Sequence, residues 1–346
     1  MERGREVMLR LERLDPDRVD WLQLDALDDR LVFQTREWVT FVAETQGAEP
    51  VVAEVRDGST CVGYFTGLVV RRFGMRILGS PFPGWTTSYM GFNLHDGVPR
   101  GQALEALLKF AFETLGCVHV ELRDRRVELD DVASLQIEQT PWPGWEVDLR
   151  PSEDEIWQRF KSTARTAIRK AEKLGVVVEE ANDLSFADDF YAQLVEVFAK
   201  QSLVPTYDIE RVRALIRHVL PTGRLLLLRA RSPEGLCIAT GIFPGMNGAA
   251  YFLGGASWRE HQILRPNEAL MWYAMRYWKA RGVEWFDLGG GLEYKLKYAP
   301  SEYSIPFLRR SRFPALTGMR NLAQEAYALR QRAAWQLRRL RSSASD

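Results

Sequence analysis

The sequence is poor in the residue types that build most metal centres and disulfide frameworks. It holds only three cysteines and four histidines in 346 residues. The cysteines are odd in number and lack Cys-x-x-Cys spacing, which argues against a disulfide framework or a zinc site; they are Cys61, Cys117 and Cys237. The histidines have no partner at metal-ligand spacing; they are His95, His119, His218 and His261. We therefore expect reduced thiols and no bound metal.

Long hydrophobic runs and an excess of one charge are also missing. No apolar run approaches the roughly 18 residues of a membrane-spanning helix, and residues 1–6 are too charged for a secretory signal. The 46 basic and 46 acidic residues cancel, so contact with nucleic acid or anionic lipid must come from a local patch. We expect a cytoplasmic protein, with peripheral contact at the inner membrane face as an alternative.

Two halves of the chain show a similar order of helices and strands. The first half has a helical pattern at 35–46 and then strand-like segments around a hairpin signal, Asp57-Gly58. The second half opens with one long helical segment, 152–174, before further helices and strands. Mixed helices and hairpin strands predict an α/β (α+β) fold with mixed sheets, used twice. The predicted domains are residues 1–150, residues 151–314 and a C-terminal helix at 315–346.

The predicted C-terminal helix is amphipathic and basic. Apolar residues keep helical spacing from Leu322 to Leu340, and residues 309–341 hold nine arginines against one acid, Glu325. Such a helix can pack on its own domain and leave a solvated basic face. It can also contact an anionic membrane or RNA. The sequence leaves both interpretations open.

The most informative segment is 263–298, where a helix, a strand and a glycine turn follow one another. Pro266-Asn267 suits a helix start, Gly282 suits a helix end, and residues 285–288 alternate like a short strand. A strand end followed by glycines brings the backbone close to a ligand. This pattern therefore predicts a functional site.

Lys295 follows that glycine turn and stands between two tyrosines in the sequence. It can lie along an apolar surface with its amine in water. It can instead be a fixed cation that stabilises a developing oxyanion or holds a phosphate. Asp287, before Gly289 and Gly290, can position Lys295, accept a proton or cap the turn.

A second candidate is the basic stretch at 159–173, which has six bases and one acid. Lys161, Arg165, Arg169 and Lys173 are four apart, so on one continuous helix they share a face. Like charges at this spacing cost a few tenths of a kcal/mol per pair. A polyanion such as a diphosphate or an RNA backbone would offset that cost, and a solvated helix face is the alternative.

The loop at 79–91 combines aromatic residues with glycines, prolines and hydroxyls. Trp85, Thr86 and Tyr89 on a stiff loop would suit the wall of a binding cleft. The alternative is a loop whose aromatic side chains cover the edge of a sheet.

Together these residues resemble the FemABX family of aminoacyl transferases and related acetyltransferase-like proteins built on tandem GNAT folds. One motif is Lys161–Val176, which is similar to a basic helix ending in Ala-x-Lys-x-Gly-Val. The other comprises Pro266-Asn267, the Asp287–Gly290 strand end and the aromatic-lysine pair Tyr294-Lys295. Element order extends the resemblance from about Gln34 onward.

The resemblance implies two GNAT-like domains and acyl transfer to an amine. In the peptidoglycan branch of the family, the donor is an aminoacyl-tRNA and the acceptor a muropeptide precursor. It further implies Lys295 at the reacting centre and Arg165 near acceptor phosphates. The expected partners are therefore aminoacyl-tRNA and a cell-wall or peptide precursor, with no bound cofactor. Residues 262–267 lack the Gly-x-Gly/Ala of the usual pyrophosphate loop, which disfavours acetyl-coenzyme A as donor.

Two alternatives remain at this stage. One is a coenzyme A-dependent N-acetyltransferase of an amino sugar or polysaccharide precursor, and the other is a non-catalytic binding module at a membrane or on RNA. The chain also departs from the family, since Thr40 and Val42 follow Trp38 where some members have a substrate-binding lysine. The predicted catalytic residues are Lys295 and Asp287. The predicted substrate-binding residues are Lys161, Arg165, Arg169, Trp85, Thr86, Tyr89, Asn267, Gly289, Gly290 and Tyr294.

Overall fold

The structure is a computed structural model that describes residues 8–200, 203–290 and 293–313. These residues divide into two compact units. Unit 1 holds residues up to 143 together with 304–313, and unit 2 holds residues 144–303. The predicted C-terminal helix at 315–346 lies outside the described residues. Within the described part of the chain, no helix is long and apolar enough to cross a bilayer.

Unit 1 is a mixed α/β unit, as the sequence predicts. Its elements in chain order are β1 (Leu9–Arg13), α1 (Trp21–Asp25), α2 (Arg36–Gln46), β2 (Glu49–Asp57), β3 (Thr60–Arg72), β4 (Met75–Ser80), β5 (Gly91–Leu94), α3 (Arg100–Lys109), β6 (His119–Leu122), α4 (Leu129–Val132) and the start of β7 (Glu138–Asp148). The predicted hairpin is present: β2 and β3 pair antiparallel and turn through Gly58, whose φ of +59° suits glycine. Phe65 and Leu78 from the sheet and Leu104 and Leu107 from α3 belong to its core.

Unit 2 contains the remaining elements. They are α5 (Glu153–Arg159), α6 (Ser162–Lys173), β8 (Val177–Glu180), α7 (Phe186–Lys200), α8 (Ile209–Val219), β9 (Leu225–Arg231), β10 (Cys237–Met246), β11 (Ala249–Tyr251), β12 (Gly254–Ser257), α9 (Pro266–Lys279), β13 (Trp285–Gly289) and the start of β14 (Ser301–Ser311), whose residues from 304 onward belong to unit 1. Short 3₁₀ helices at Arg259–Leu264 and Glu293–Tyr298 flank α9 and β13. Among these strands the order is β7, β13, β11, β10, β9, β8. Helix α9 packs on β9 and β10, and α6 packs on α9.

The chain returns to unit 1 after residue 303, which differs from the predicted domain boundary at 314. The cause is strand pairing, because Leu308 to Ser311 of β14 pair antiparallel with Leu122 to His119 of β6. A sequence pattern shows that such a strand exists without showing which sheet it joins.

The prediction of one long helix at 152–174 is wrong, because the structure has two helices there. Phe160 and Lys161 are extended between α5 and α6, with ψ angles of 142° and 150°. The break lets the Phe160 ring pack 5.4 Å from the rings of Trp272 and Tyr298. The Lys161 N–H donates to the carbonyl of Lys297 at 2.9 Å instead of continuing a helix. Tertiary packing thus overrides local helix propensity.

Strands β12 and β13 diverge, and this positions the candidate site. Strand β10 pairs with β11 near Met246 and with β12 from Ala239 to Ile242. Strand β11 also pairs in parallel with β13, and the last pair is Tyr251 opposite Asp287. Beyond that point β12 pairs only with β10 among the described strands. The two strands therefore separate and leave a gap in the sheet.

Candidate active site

The Asp287 side chain caps the backbone turn at the end of β13. Its Oδ1 accepts a hydrogen bond from the N–H of Gly289 at 2.6 Å, and its Oδ2 accepts one from the hydroxyl of Tyr303 at 2.8 Å. Gly289 has a φ of +66°, where glycine is favoured. Asp287 is 2% exposed. Of the roles considered from the sequence, this geometry is that of the turn cap, because both carboxylate oxygens are engaged.

Lys295 also holds the glycine turn. Its Nζ donates to the carbonyls of Leu288 at 2.6 Å and Gly290 at 3.0 Å, and the residue is 7% exposed. Burial lowers the pKa of Lys295 from its ordinary value of 10.5, and the nearby Asp287 charge opposes that shift. Lys295 thus binds the backbone of the glycine turn at Gly290, and its charge interacts with that of Asp287.

The 3₁₀ helix at Glu293–Tyr298 sends alternate residues to different surroundings. Three residues per turn place positions i and i+3 on the same face, so Tyr294 aligns with Lys297 while Lys295 aligns with Tyr298. Lys295 and Tyr298 are buried, and Tyr294 is 46% exposed. The lysine that lies between tyrosine rings is therefore Lys297, whose Nζ is 5.6 Å from Tyr294 and 5.3 Å from Tyr298.

A cleft of about 510 Å³ opens where β12 leaves β13 and α9 begins. We call it the α9 cleft. One side is formed by β10 and β12, and the other by the start of α9 and the 3₁₀ helix at Glu293–Tyr298. Ser257 Oγ accepts hydrogen bonds from Gln262 at 3.2 Å and from Asn267 at 3.1 Å, which ties β12 to the start of α9. Of the predicted site residues, Asn267 and Tyr294 line this cleft.

An ion pair that the sequence analysis missed also lines the α9 cleft. Lys297 Nζ is 2.7 Å from Oε1 of Glu268, which lies in the first turn of α9. Glu268 is 8% exposed. Lys295, in contrast, does not belong to the lining. The i+3 spacing of Tyr294 and Lys297 is the sequence signal that could have shown that Lys297 shares the face of Tyr294, had a 3₁₀ helix been expected.

The basic helix α6 lies beside the 3₁₀ helix at Glu293–Tyr298 in unit 2. The bond from the Lys161 N–H to the Lys297 carbonyl, 2.9 Å long, joins the start of α6 to the 3₁₀ helix. Helix α6 buries a face of small residues, including Ala164, Ala167 and Ala171, against its own unit. Small side chains permit the close approach to α9, and the bases are left on the outer face.

The basic side chains of α6 differ in their partners. Arg165 donates to Gln158 at 2.8 Å, and the Arg169 guanidinium lies 5.3 Å from the ring of Trp157. Lys161 stands at the N-cap, off the face that it was predicted to share with the others. Within the described residues, no acid pairs with Lys161, Arg165 or Arg169 at salt-bridge distance. Unpaired bases are available to a polyanion.

The predicted aromatic loop belongs to unit 1 and is packed. Tyr89 is 1% exposed, and the Trp85 ring lies 4.6 Å from that of Phe82. Trp38 Nε1 donates to Thr87 at 3.0 Å, next to Thr86. For Tyr89 this is the edge-covering geometry considered from the sequence. A contact of Trp85 or Thr86 with substrate stays a prediction.

No cluster of three or more potential metal ligands occurs in the part of the chain that the structure describes. The groups able to act on a ligand in the α9 cleft are therefore the carboxylate of Glu268, the ammonium of Lys297, the exposed Arg265, the hydroxyl groups and the aromatic rings. This set suits an amine or ester substrate held by ionic and aromatic contacts.

A protein-family model for the acetyltransferase (GNAT) domain matches residues 158–298. The matched region contains α6, the α9 cleft and the glycine turn. No curated protein matches the chain significantly. The match confirms the GNAT domain predicted for the second half of the sequence.

Solved structures share the fold of nearly the whole chain. FemX aligns with a TM-score of 0.68 at 15% identity, covering 86% of this chain and 96% of FemX. A tandem GNAT protein from the clavulanic acid biosynthesis pathway aligns with a TM-score of 0.53 at 14% identity, covering 88% and 99%. L-PGS from Bacillus licheniformis aligns with a TM-score of 0.52 at 12% identity, covering 84% and 96%. These likenesses confirm the predicted tandem GNAT fold.

Proposed function

We propose that this tandem GNAT-fold chain is an acyltransferase that moves an aminoacyl group from aminoacyl-tRNA to an amine of a cell-wall or peptide precursor. The GNAT-domain match at 158–298 supports an acyltransferase. The motif resemblance to the FemABX transferases and the fold shared with FemX support the aminoacyl form.

The observation that carries the choice of donor is the start of α9. A helix N-terminus binds a diphosphate through free N–H groups and a positive dipole end. Here Pro266 has no N–H to offer, and Glu268 places a carboxylate in the first turn, paired with Lys297. This acid would repel a coenzyme A diphosphate at that position. The unpaired bases of α6 offer phosphates a better place, as a tRNA backbone requires.

In the proposed reaction a neutral amine attacks the ester carbonyl of the charged tRNA. The bond between that carbonyl carbon and the ribose oxygen of the tRNA then breaks, and the proton lost by the amine ends on the ribose oxygen that leaves. Lys297, a cation that lines the cleft, stabilises the oxyanion that develops there. Lys295, for which the resemblance implies this role, holds the carbonyls of Leu288 and Gly290 in place. The bases of α6 hold the tRNA backbone.

A donor comparison tests the proposal. Labelled aminoacyl-tRNAs and labelled acetyl-coenzyme A are each incubated with the protein and a muropeptide precursor, and transfer of label to the precursor is followed. We expect transfer from aminoacyl-tRNA, and its loss in Lys297→Met. Consumption of the thioester alone would reject the aminoacyl assignment and favour the N-acetyltransferase alternative.

A further inference from the structure

The Glu268 carboxylate has one oxygen committed and one available. Oε1 accepts from Lys297 Nζ at 2.7 Å, and no described residue donates to Oε2. Glu268 is 8% exposed, and its exposed part faces the α9 cleft that it lines. A largely buried carboxylate with an unused oxygen gains free energy when a ligand supplies a donor.

Aromatic rings that line the α9 cleft with Glu268 already lie near ammonium groups. Lys297 Nζ lies 5.6 Å from Tyr294 and 5.3 Å from Tyr298, and Lys295 Nζ lies 5.7 Å from Phe252. All three rings line the cleft. Aromatic faces attract cations at such distances. The aromatic lining of the cleft therefore favours another ammonium group over a neutral or anionic one.

We propose that Oε2 of Glu268 binds the α-ammonium group of the aminoacyl donor while Lys297 faces the ester carbonyl. This inference rests on the proposed function and specifies its substrate class. Acyl groups with a free α-ammonium are accepted, whereas acetyl and N-blocked aminoacyl groups are discriminated against. A charge-assisted hydrogen bond of this kind corresponds to a preference of about 10- to 100-fold.

The test compares each aminoacyl-tRNA that supports transfer with its N-acetylated form. The ratio of their kcat/KM values is measured for the wild type, for Glu268→Gln and for a control, Glu260→Gln. Glu260 is a fitting control because its side chain is 79% exposed and lies outside the cleft lining. We expect the wild type and Glu260→Gln to prefer the free amine at least about tenfold, and Glu268→Gln to show a ratio near one.

A folded Glu268→Gln variant that keeps the wild-type ratio of kcat/KM values would overturn the inference. That result would fit a general base at Glu268 instead, since loss of a general base slows transfer from both donors equally. If that variant fails to fold, binding to the wild type decides. The probes are 3′-alanylamido-3′-deoxyadenosine and its N-acetyl form. Weaker binding of the N-acetyl form by about tenfold supports the inference, and equal Kd values reject it. Failure of the proposed function is distinct, because the wild type would then transfer from no aminoacyl-tRNA.

Discussion

Lys295 and Lys297 are two residues apart and have opposite surroundings. Lys295 is buried and spends two of its three donor hydrogens on backbone carbonyls. Lys297 lines the α9 cleft and pairs with Glu268. The first therefore maintains the glycine turn, and the second is placed to act on a ligand.

Replacement of each lysine by methionine should separate these roles. Lys295→Met leaves the buried carbonyl of Leu288 and the partly buried carbonyl of Gly290 without their donor, so we expect the free energy of unfolding to fall by about 1–3 kcal/mol. Lys297→Met removes a half-buried charge from the cleft, so we expect kcat to fall by about 100-fold or more. Denaturant titration and transfer assays measure the two effects. An inactive but fully stable Lys295→Met, beside an active Lys297→Met, would return the catalytic role to Lys295.

Stability should also depend on pH through Lys295. Burial lowers the pKa of Lys295 below its ordinary 10.5. Between the folded and unfolded pKa values the unfolded chain binds more protons, so stability rises with pH in that window. Lys295→Met lacks this rise, so the difference in unfolding free energy between wild type and variant should grow with pH.

The pH measurement ends at about pH 10, because tyrosines in the unfolded chain lose their protons around that pH. Burial raises the pKa of Tyr298 well above its ordinary 10.0, so at higher pH tyrosine ionisation opposes folding. A constant difference between wild type and Lys295→Met from pH 8 to pH 10 would contradict the assigned burial effect.

At the scale of elements, the break between α5 and α6 decides which bases can act together. Ser152 and Glu155 form a capping box at the start of α5, and Phe160 ends that helix in an aromatic cluster. Helix α6 then starts afresh with its own register. Its outer face carries Arg165, Arg169 and Lys173 as an uninterrupted basic row.

This row should account for part of the salt dependence of the proposed tRNA binding. The double variant Arg169→Gln/Lys173→Gln removes two phosphate partners, so the slope of log affinity against log salt should become shallower by about 1.5. The matched control is Arg213→Gln/Arg217→Gln on α8, where Arg213 is 2.6 Å from Glu210. Filter binding across a salt series measures both variants. Equal losses in the two variants would show that only net charge matters.

Much of the fold could be predicted from the sequence, because periodicity and turn residues identify elements locally. Helix α2, Arg36–Gln46, matches the helical pattern predicted at 35–46 to within one residue. The pairing of β14 with β6 could not be predicted, since partner choice depends on contacts remote in sequence. The Glu268–Lys297 pair was missed for a similar reason, as it joins a helix start to a 3₁₀ turn 29 positions away.

At the scale of the molecule, a balanced total charge conceals an uneven distribution. The 46 bases and 46 acids cancel overall, yet nine arginines and one acid fall within residues 309–341. The remainder of the chain therefore holds more acids than bases. Attraction to a polyanionic surface must come from local regions, and of the two basic stretches described the C-terminal segment holds the larger net excess of bases.

Truncation tests this charge distribution. Removal of residues 315–346 should weaken binding to vesicles of anionic lipid by at least about tenfold, since each arginine near such a surface contributes about 1 kcal/mol. Sedimentation with anionic and neutral vesicles measures the effect, and the neutral vesicles serve as control. Unchanged binding to anionic vesicles would favour a segment that packs on its own domain.

The point where β11 stops pairing with β13 has a consequence for how substrate range can evolve. The α9 cleft starts just beyond the Tyr251–Asp287 pair. One further backbone pair after Tyr251–Asp287 would extend the pairing with β13 and shorten the cleft. One pair fewer would lengthen the cleft. The size of a ligand that the cleft accepts can thus change through main-chain register alone, with every side chain that lines the cleft retained.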